Sequence, residues 1–112
     1  MGQTMTDAIV VLVAAPTADK AAELARALVE EELAACGNVI AGLRSIYRWE
    51  GRIQDEPEVL LLLKTRAALF EPLRARVVQL HPYQCPEVLR LDVTEGHAPY
   101  LQWLRESVRA VP

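Results

Sequence analysis

The sequence predicts an α+β fold, a ferredoxin-like split βαβ sandwich of order β-α-β-β-α-β with an added C-terminal helix. Three observations lead there. The hydrophobic period switches between two and 3.6 along the chain, so that extended and helical segments follow one another in that order. The runs Ile9-Val10-Val11-Leu12-Val13 and Val59-Leu60-Leu61-Leu62-Leu63 lack alternation, as strands covered on both faces do. They are the first and third strands, which are the central pair of this topology. The stretch from Val39 to Thr65 reads as a long hairpin, two arms around a tight Glu50-Gly51 turn. Three short helices cannot cover both faces of a sheet. A partner is therefore expected, and the nearest candidate is another copy of the chain.

The 112 residues suit one domain, expected over 8–112 after a disordered tail at 1–7. An apolar share of 52% is enough for a real core and argues against disorder. With 12 basic against 15 acidic residues, nothing in the charge balance favours nucleic acid or an anionic membrane. The longest apolar run, Ala8 to Pro16, falls far short of a spanning helix, and no basic segment precedes it as in a signal peptide. A cytoplasmic protein is expected, with Cys36 and Cys85 as thiols.

In chain order, the Ile9 run ends at Ala15-Pro16, and Thr17 is placed to cap a helix over Ala18 to Ala35. Ala21, Leu24, Ala25, Leu28 and Leu33 recur there at helical spacing. Glu30-Glu31-Glu32 near its end reads as a solvated face, and Gly37 as its C-terminal stop. In the hairpin, Ile46, Tyr47 and Trp49 suit a half-buried pleated surface. A second helix is expected over Thr65 to Leu80. Pro72 must lie in its first turn, so its regular part begins near Leu69, and Leu73, Val77 and Leu80 form its buried stripe. Glu87 to Val93 alternates as an edge-like strand, with Leu89, Leu91 and Val93 expected inward and Arg90 and Asp92 outward. Pro99 opens a last helix with Tyr100, Trp103 and Leu104 on one face.

Five motifs appear in order. They are Ala34-Ala35-Cys36-x-Asn38, Ser45-Ile46-Tyr47-Arg48-Trp49-Glu50-Gly51, Leu63-Lys64-Thr65, His81-Pro82-Tyr83-x-x-Pro86-Glu87 and Tyr100-Leu101-x-Trp103-Leu104. In this the chain resembles the CutA divalent-cation-tolerance family, from Ile9 to Val108. The resemblance implies a tight homotrimer whose hairpins wrap around neighbouring subunits, and a role in tolerance to divalent metals. Copper or another divalent cation is the implied ligand, not required for folding. Gly37 stands where that family commonly has valine or alanine, and Cys85 where it more often has valine or threonine. Some metal-binding members carry a cysteine in the first strand and a second histidine before His-Pro-Tyr. Val13 and Leu80 occupy those positions here.

On this resemblance His81, Cys36 and Cys85 become the metal-ligand candidates, since thiolate suits copper(I) and imidazole suits copper or zinc. No two of them have the tight spacing of a structural zinc site. The plainer readings are that Cys36 is a small buried hydrophobe and that His81 caps its helix. Glu58, Lys64, Tyr83 and Glu87 form a polar set that the resemblance gathers in a cleft between subunits, either a small-ligand or ion pocket or an interface network of ion pairs. Trp49, with Tyr47, is expected to anchor in an adjacent subunit. Catalysis is not expected. There is no Gly-rich phosphate loop or nucleophile elbow, and Ala14-Ala15-Pro16-Thr17 offers no oxyanion-binding loop. Two readings of function follow, a metal-binding trimer of divalent-cation tolerance and a signalling or scaffolding trimer with a small molecule in its clefts.

Overall fold

The alternation of apolar side chains sorts the sheet into two unlike faces. In the computed structural model, which describes residues 6–111, the elements are β1 (Ala8–Ala15), α1 (Ala18–Glu30), β2 (Cys36–Trp49), β3 (Arg52–Arg66), a 3-10 turn at Ala67–Leu69, α2 (Phe70–Leu80), β4 (Leu89–Asp92) and α3 (Ala98–Glu106). The strands form one sheet in the order β2-β3-β1-β4, every neighbouring pair antiparallel. The two strands without alternation, β1 and β3, are thus central, and Val11 pairs with Leu63 across them.

One face carries Ile9, Val11, Val13, Leu61, Leu63 and Thr65, all fully buried against α1 and α2 through Leu24, Leu28, Leu73 and Val77. Thr65 is the polar member of that set, and its hydroxyl donates to the Leu33 carbonyl at 2.7 Å. Pro72 is the third residue of α2, where its missing N–H costs nothing. The other face carries Val10, Leu12, Leu60 and Leu62, each only half-buried. α3 and the residues just after it cover one end of that face, packing Leu101, Leu104 and Val108 on Ala8, Ala35 and Leu69.

The turn at the hairpin tip has Glu50 at φ 51° and Gly51 at φ 77°, two consecutive left-handed residues, as a two-residue type I′ connection demands. Trp49 pairs with Arg52 directly beneath it. Arms of 14 and 15 residues, at about 3.3 Å per residue, account for most of the 50 Å long axis of the chain.

Several expectations are corrected. α1 stops at Glu30 rather than Ala35, because Glu32 takes φ 59° and the Leu33 and Ala34 N–H groups turn back to the Leu28 carbonyl. Gly37 is therefore no helix stop. It lies within β2, where a Cβ would stand 2.7 Å from that of Ala25, so its bareness lets strand and helix approach. Thr65 and Arg66 belong to β3, and α2 begins at Phe70. β4 is shorter than Glu87 to Val93, and all four of its residues are exposed, while Val93 beyond it packs inward on the Leu101 and Leu104 cluster as expected. Leu89 and Leu91 pair with Leu12 and Val10, on the side away from α1 and α2, and are 55% and 54% exposed. Arg90 instead lies over the Phe70 ring. Of the tail expected at 1–7, residues 1–5 lie outside the described residues. Asp7 is held, its carboxylate by Arg66 at 2.9 Å and its carbonyl by the Ala67 N–H.

Candidate functional site

Pro82 stops α2, and the chain turns back towards the end of β1. His81 makes that turn rigid. Its Nε2 donates to the Ala14 carbonyl at 2.8 Å, beyond the last β1–β4 rung at Leu12–Leu89, and its Nδ1 accepts the Tyr83 N–H at 3.1 Å. The ring is buried and lies 4.7 Å from that of Tyr83. Tyr83 is thereby aimed at the base of the hairpin, where its hydroxyl donates to Glu58 Oε2 at 2.6 Å.

A cavity of about 540 Å³ opens there. Its walls include Tyr47 and Trp49 of β2, Glu58 of β3, and Tyr83, Cys85 and Glu87 of the loop between α2 and β4. Alternation within β2 puts Tyr47 and Trp49 on one side, and the Tyr47 hydroxyl donates to Glu56. That hydrogen bond, joined by desolvation and by the charges of Glu56 and Glu58, pushes the Tyr47 phenol up to about 12. Burial raises Tyr83 as well, with the Glu58 carboxylate adding to it. Both tyrosines thus remain neutral donors beside carboxylates at neutral pH.

Three of the four expected cleft residues meet in this cavity, namely Glu58, Tyr83 and Glu87. Lys64 does not. It pairs with Cys36 across β2 and β3, four residues and about 13 Å along β3 from Leu60, the partner of Ala14. There Cys36 Sγ is 3.9 Å from the Tyr100 hydroxyl of α3, whose pKa rises with burial first and the Cys36 thiol next. The three metal-ligand candidates are therefore dispersed. Cys36 sits at the far end of the sheet, Cys85 lies exposed at the cavity wall, and His81 spends both nitrogens within its own turn. Among the described residues, no group of three or more His, Cys, Asp or Glu side chains could hold a metal ion. Glu56, the acceptor of the Tyr47 hydroxyl, lies outside the sequence candidates. The signal was present, since Glu56 and Glu58 flank Pro57 at the strand spacing that places both on one face.

The family model described as CutA1 divalent ion tolerance protein matches residues 9–107. The chain belongs to the CutA1 family. Its relatives include the divalent-cation tolerance protein CutA of Thermus thermophilus, 50% identical over 98 residues that cover 88% of this chain and 95% of that one. The chloroplastic protein CutA of Arabidopsis thaliana is 46% identical over 90% of this chain, and the human protein CutA 44% identical over 88%. The chain spans about half the length of these two, 56% and 55%. Among solved structures, the Thermus thermophilus Cut A1 protein superposes with a TM-score of 0.88 at 48% identity, covering 91% of this chain and 99% of that one. Oryza sativa CutA1 gives 0.90 at 40% identity, with 94% and 96% covered. The CutA1 match thus extends over the sheet, the helices and the long hairpin alike. Among the described residues no helix is long and apolar enough to cross a membrane.

Proposed function

We propose that the chain acts in divalent-cation tolerance as a non-catalytic homotrimer of ferredoxin-like subunits, working in the cytoplasm. The observation that carries this reading is the sheet face away from α1 and α2. Val10, Leu12, Leu60 and Leu62 are half-buried there, and Leu89 and Leu91 extend the apolar surface to the edge strand. Contiguous apolar surface of this kind marks an association site. The name of the family and those of its relatives supply the connection to divalent cations.

A preformed copper centre on one chain does not fit these residues. His81 would have to break two hydrogen bonds to offer a lone pair, and Cys36 is remote from it. Copper or another divalent cation is accordingly bound by the assembled protein through its accessible groups, the exposed thiol of Cys85 and the surface carboxylates, rather than at a His81–Cys36–Cys85 set. The test combines two measurements. Light scattering at low micromolar concentration should give three times the 12.5 kDa chain mass. A copper-sensitive strain lacking its own relative should regain growth on elevated copper when it expresses this chain. A folded monomer, or no gain in tolerance, would overturn the reading.

A second reading is favoured by the cavity itself. A signalling or scaffolding trimer would hold a small molecule where Tyr47, Glu58, Tyr83 and Glu87 converge.

A further inference from the structure

We propose that the cavity at the base of the hairpin is a binding site for a small organic cation carrying an ammonium group. This deepens the second reading above by naming a ligand class. The argument starts from the lining. Three aromatic side chains, Tyr47, Trp49 and Tyr83, and two carboxylates, Glu58 and Glu87, share the walls, and no lysine or arginine is among them. Arg48 and Arg52 stand on the hairpin arms beside Tyr47 and Trp49 without lining the cavity, and Arg44 is committed to Asp55 at 2.8 Å in a bidentate pair. Lys64 stands at the other end of the sheet. Among the described residues, no ion pair engages Glu58 or Glu87.

Such a wall repels anions and attracts cations, and its size decides between kinds of cation. A volume of about 540 Å³ lies in the range of small-molecule pockets and far exceeds the space of one coordinated ion. A metal ion also needs several oxygen ligands converging at 2–2.6 Å, and no such group is present among the described residues. An alkylammonium needs less. Aromatic rings attract it through their quadrupoles, and a carboxylate at the wall supplies the countercharge without close coordination. The tyrosines suit this role because their hydrogen bonds to Glu56 and Glu58 keep them neutral and fixed while both carboxylates stay acceptors. Tyr83 is in turn fixed by the Nδ1 of His81.

The experiment reads Trp49 alone. In Trp103→Phe protein the indole at the cavity is the single tryptophan left, and its fluorescence is followed on titration with tetramethylammonium chloride and, separately, with tert-butanol as the uncharged analogue. Saturable quenching by tetramethylammonium, with none by the alcohol over the same range, is the expected result. Glu58→Gln and Glu87→Gln should each weaken it about tenfold, the effect of losing one close charge contact. Either variant alone suffices if the other fails to fold. Equal response to the alcohol, displacement by equimolar calcium, unchanged affinity in the folded variants, or no saturable quenching would each overturn the proposal. None of these results touches the homotrimer reading, whose light-scattering test does not involve the cavity.

Discussion

His81 and Ala14 lie 67 residues apart, and the imidazole Nε2 donates to the Ala14 carbonyl at 2.8 Å. With Nδ1 accepting from the Tyr83 N–H, the ring is fixed as the Nε2–H tautomer and joins the end of β1 to the loop that lines the cavity. Both ring nitrogens of the histidine that the family resemblance makes a metal-ligand candidate are therefore engaged within the chain. His81→Ala should leave the Ala14 carbonyl and the Tyr83 N–H without partners and open space beneath the loop. A loss of about 2–3 kcal/mol is expected in urea unfolding, while the copper affinity of the folded protein stays unchanged. A copper affinity that falls with the substitution would return His81 to the metal site.

Gly37 supplies the second prediction. An added Cβ would meet Ala25 Cβ at 2.7 Å and Leu63 Cδ2 at 3.2 Å, and the first of these neighbours is the short side chain of a buried helix. Gly37→Val should cost about 1–3 kcal/mol by forcing α1 off the sheet. Ala25→Gly should relieve part of that loss in the double variant, despite its own helix penalty of about 0.5–1 kcal/mol. Additive losses in a double-mutant cycle of thermal unfolding would show that the contact is not the cause.

The central strands, the hairpin turn and the place of Pro72 were legible because each follows from one local rule of period or backbone freedom. What failed depended on neighbours. Nothing in the sequence marks Glu32 as a helix stop, because a non-glycine residue at φ 59° is offset only by the two N–H groups that turn back on Leu28. The alternation of Leu89 and Leu91 marks a strand, but no single strand says which face of its sheet the helices occupy. For the cavity, Glu58, Tyr83 and Glu87 were legible as a polar set. That His81 would be used up in orienting Tyr83 was not, since it requires the carbonyl of Ala14.

The third prediction concerns acid. Glu31 accepts from Arg76, tying the end of α1 to α2, and that hydrogen bond is the main cause of a carboxyl pKa below its ordinary 4.5. A group lowered in the folded state binds its proton more readily when unfolded. Its contribution to stability is thus present above about pH 4.5 and lost as pH falls through the folded value. Glu31→Gln should therefore be less stable than the parent at pH 7 and converge with it in the acid range. Both side chains are partly exposed, so the difference should shrink in high salt. A difference that persists unchanged to low pH would assign the effect to packing instead.

Leu91 isolates assembly from folding. It lies on β4, 54% exposed in the single chain and opposite Val10, at the edge of the apolar sheet face. In a chain that stays alone, Leu91→Arg replaces one exposed side chain by another and should shift stability by no more than about 0.5 kcal/mol. In an assembly that covers this face, the same change forfeits about 1 kcal/mol of apolar burial per chain and also buries a guanidinium without a partner. The two cases separate cleanly by concentration. Light scattering should find the parent assembled at low micromolar concentration and the variant smaller. The melting temperature of the variant should no longer depend on protein concentration, while that of the parent rises with it. Should both proteins keep the same mass and the same concentration dependence, the face carrying Leu91 is not where the chains meet.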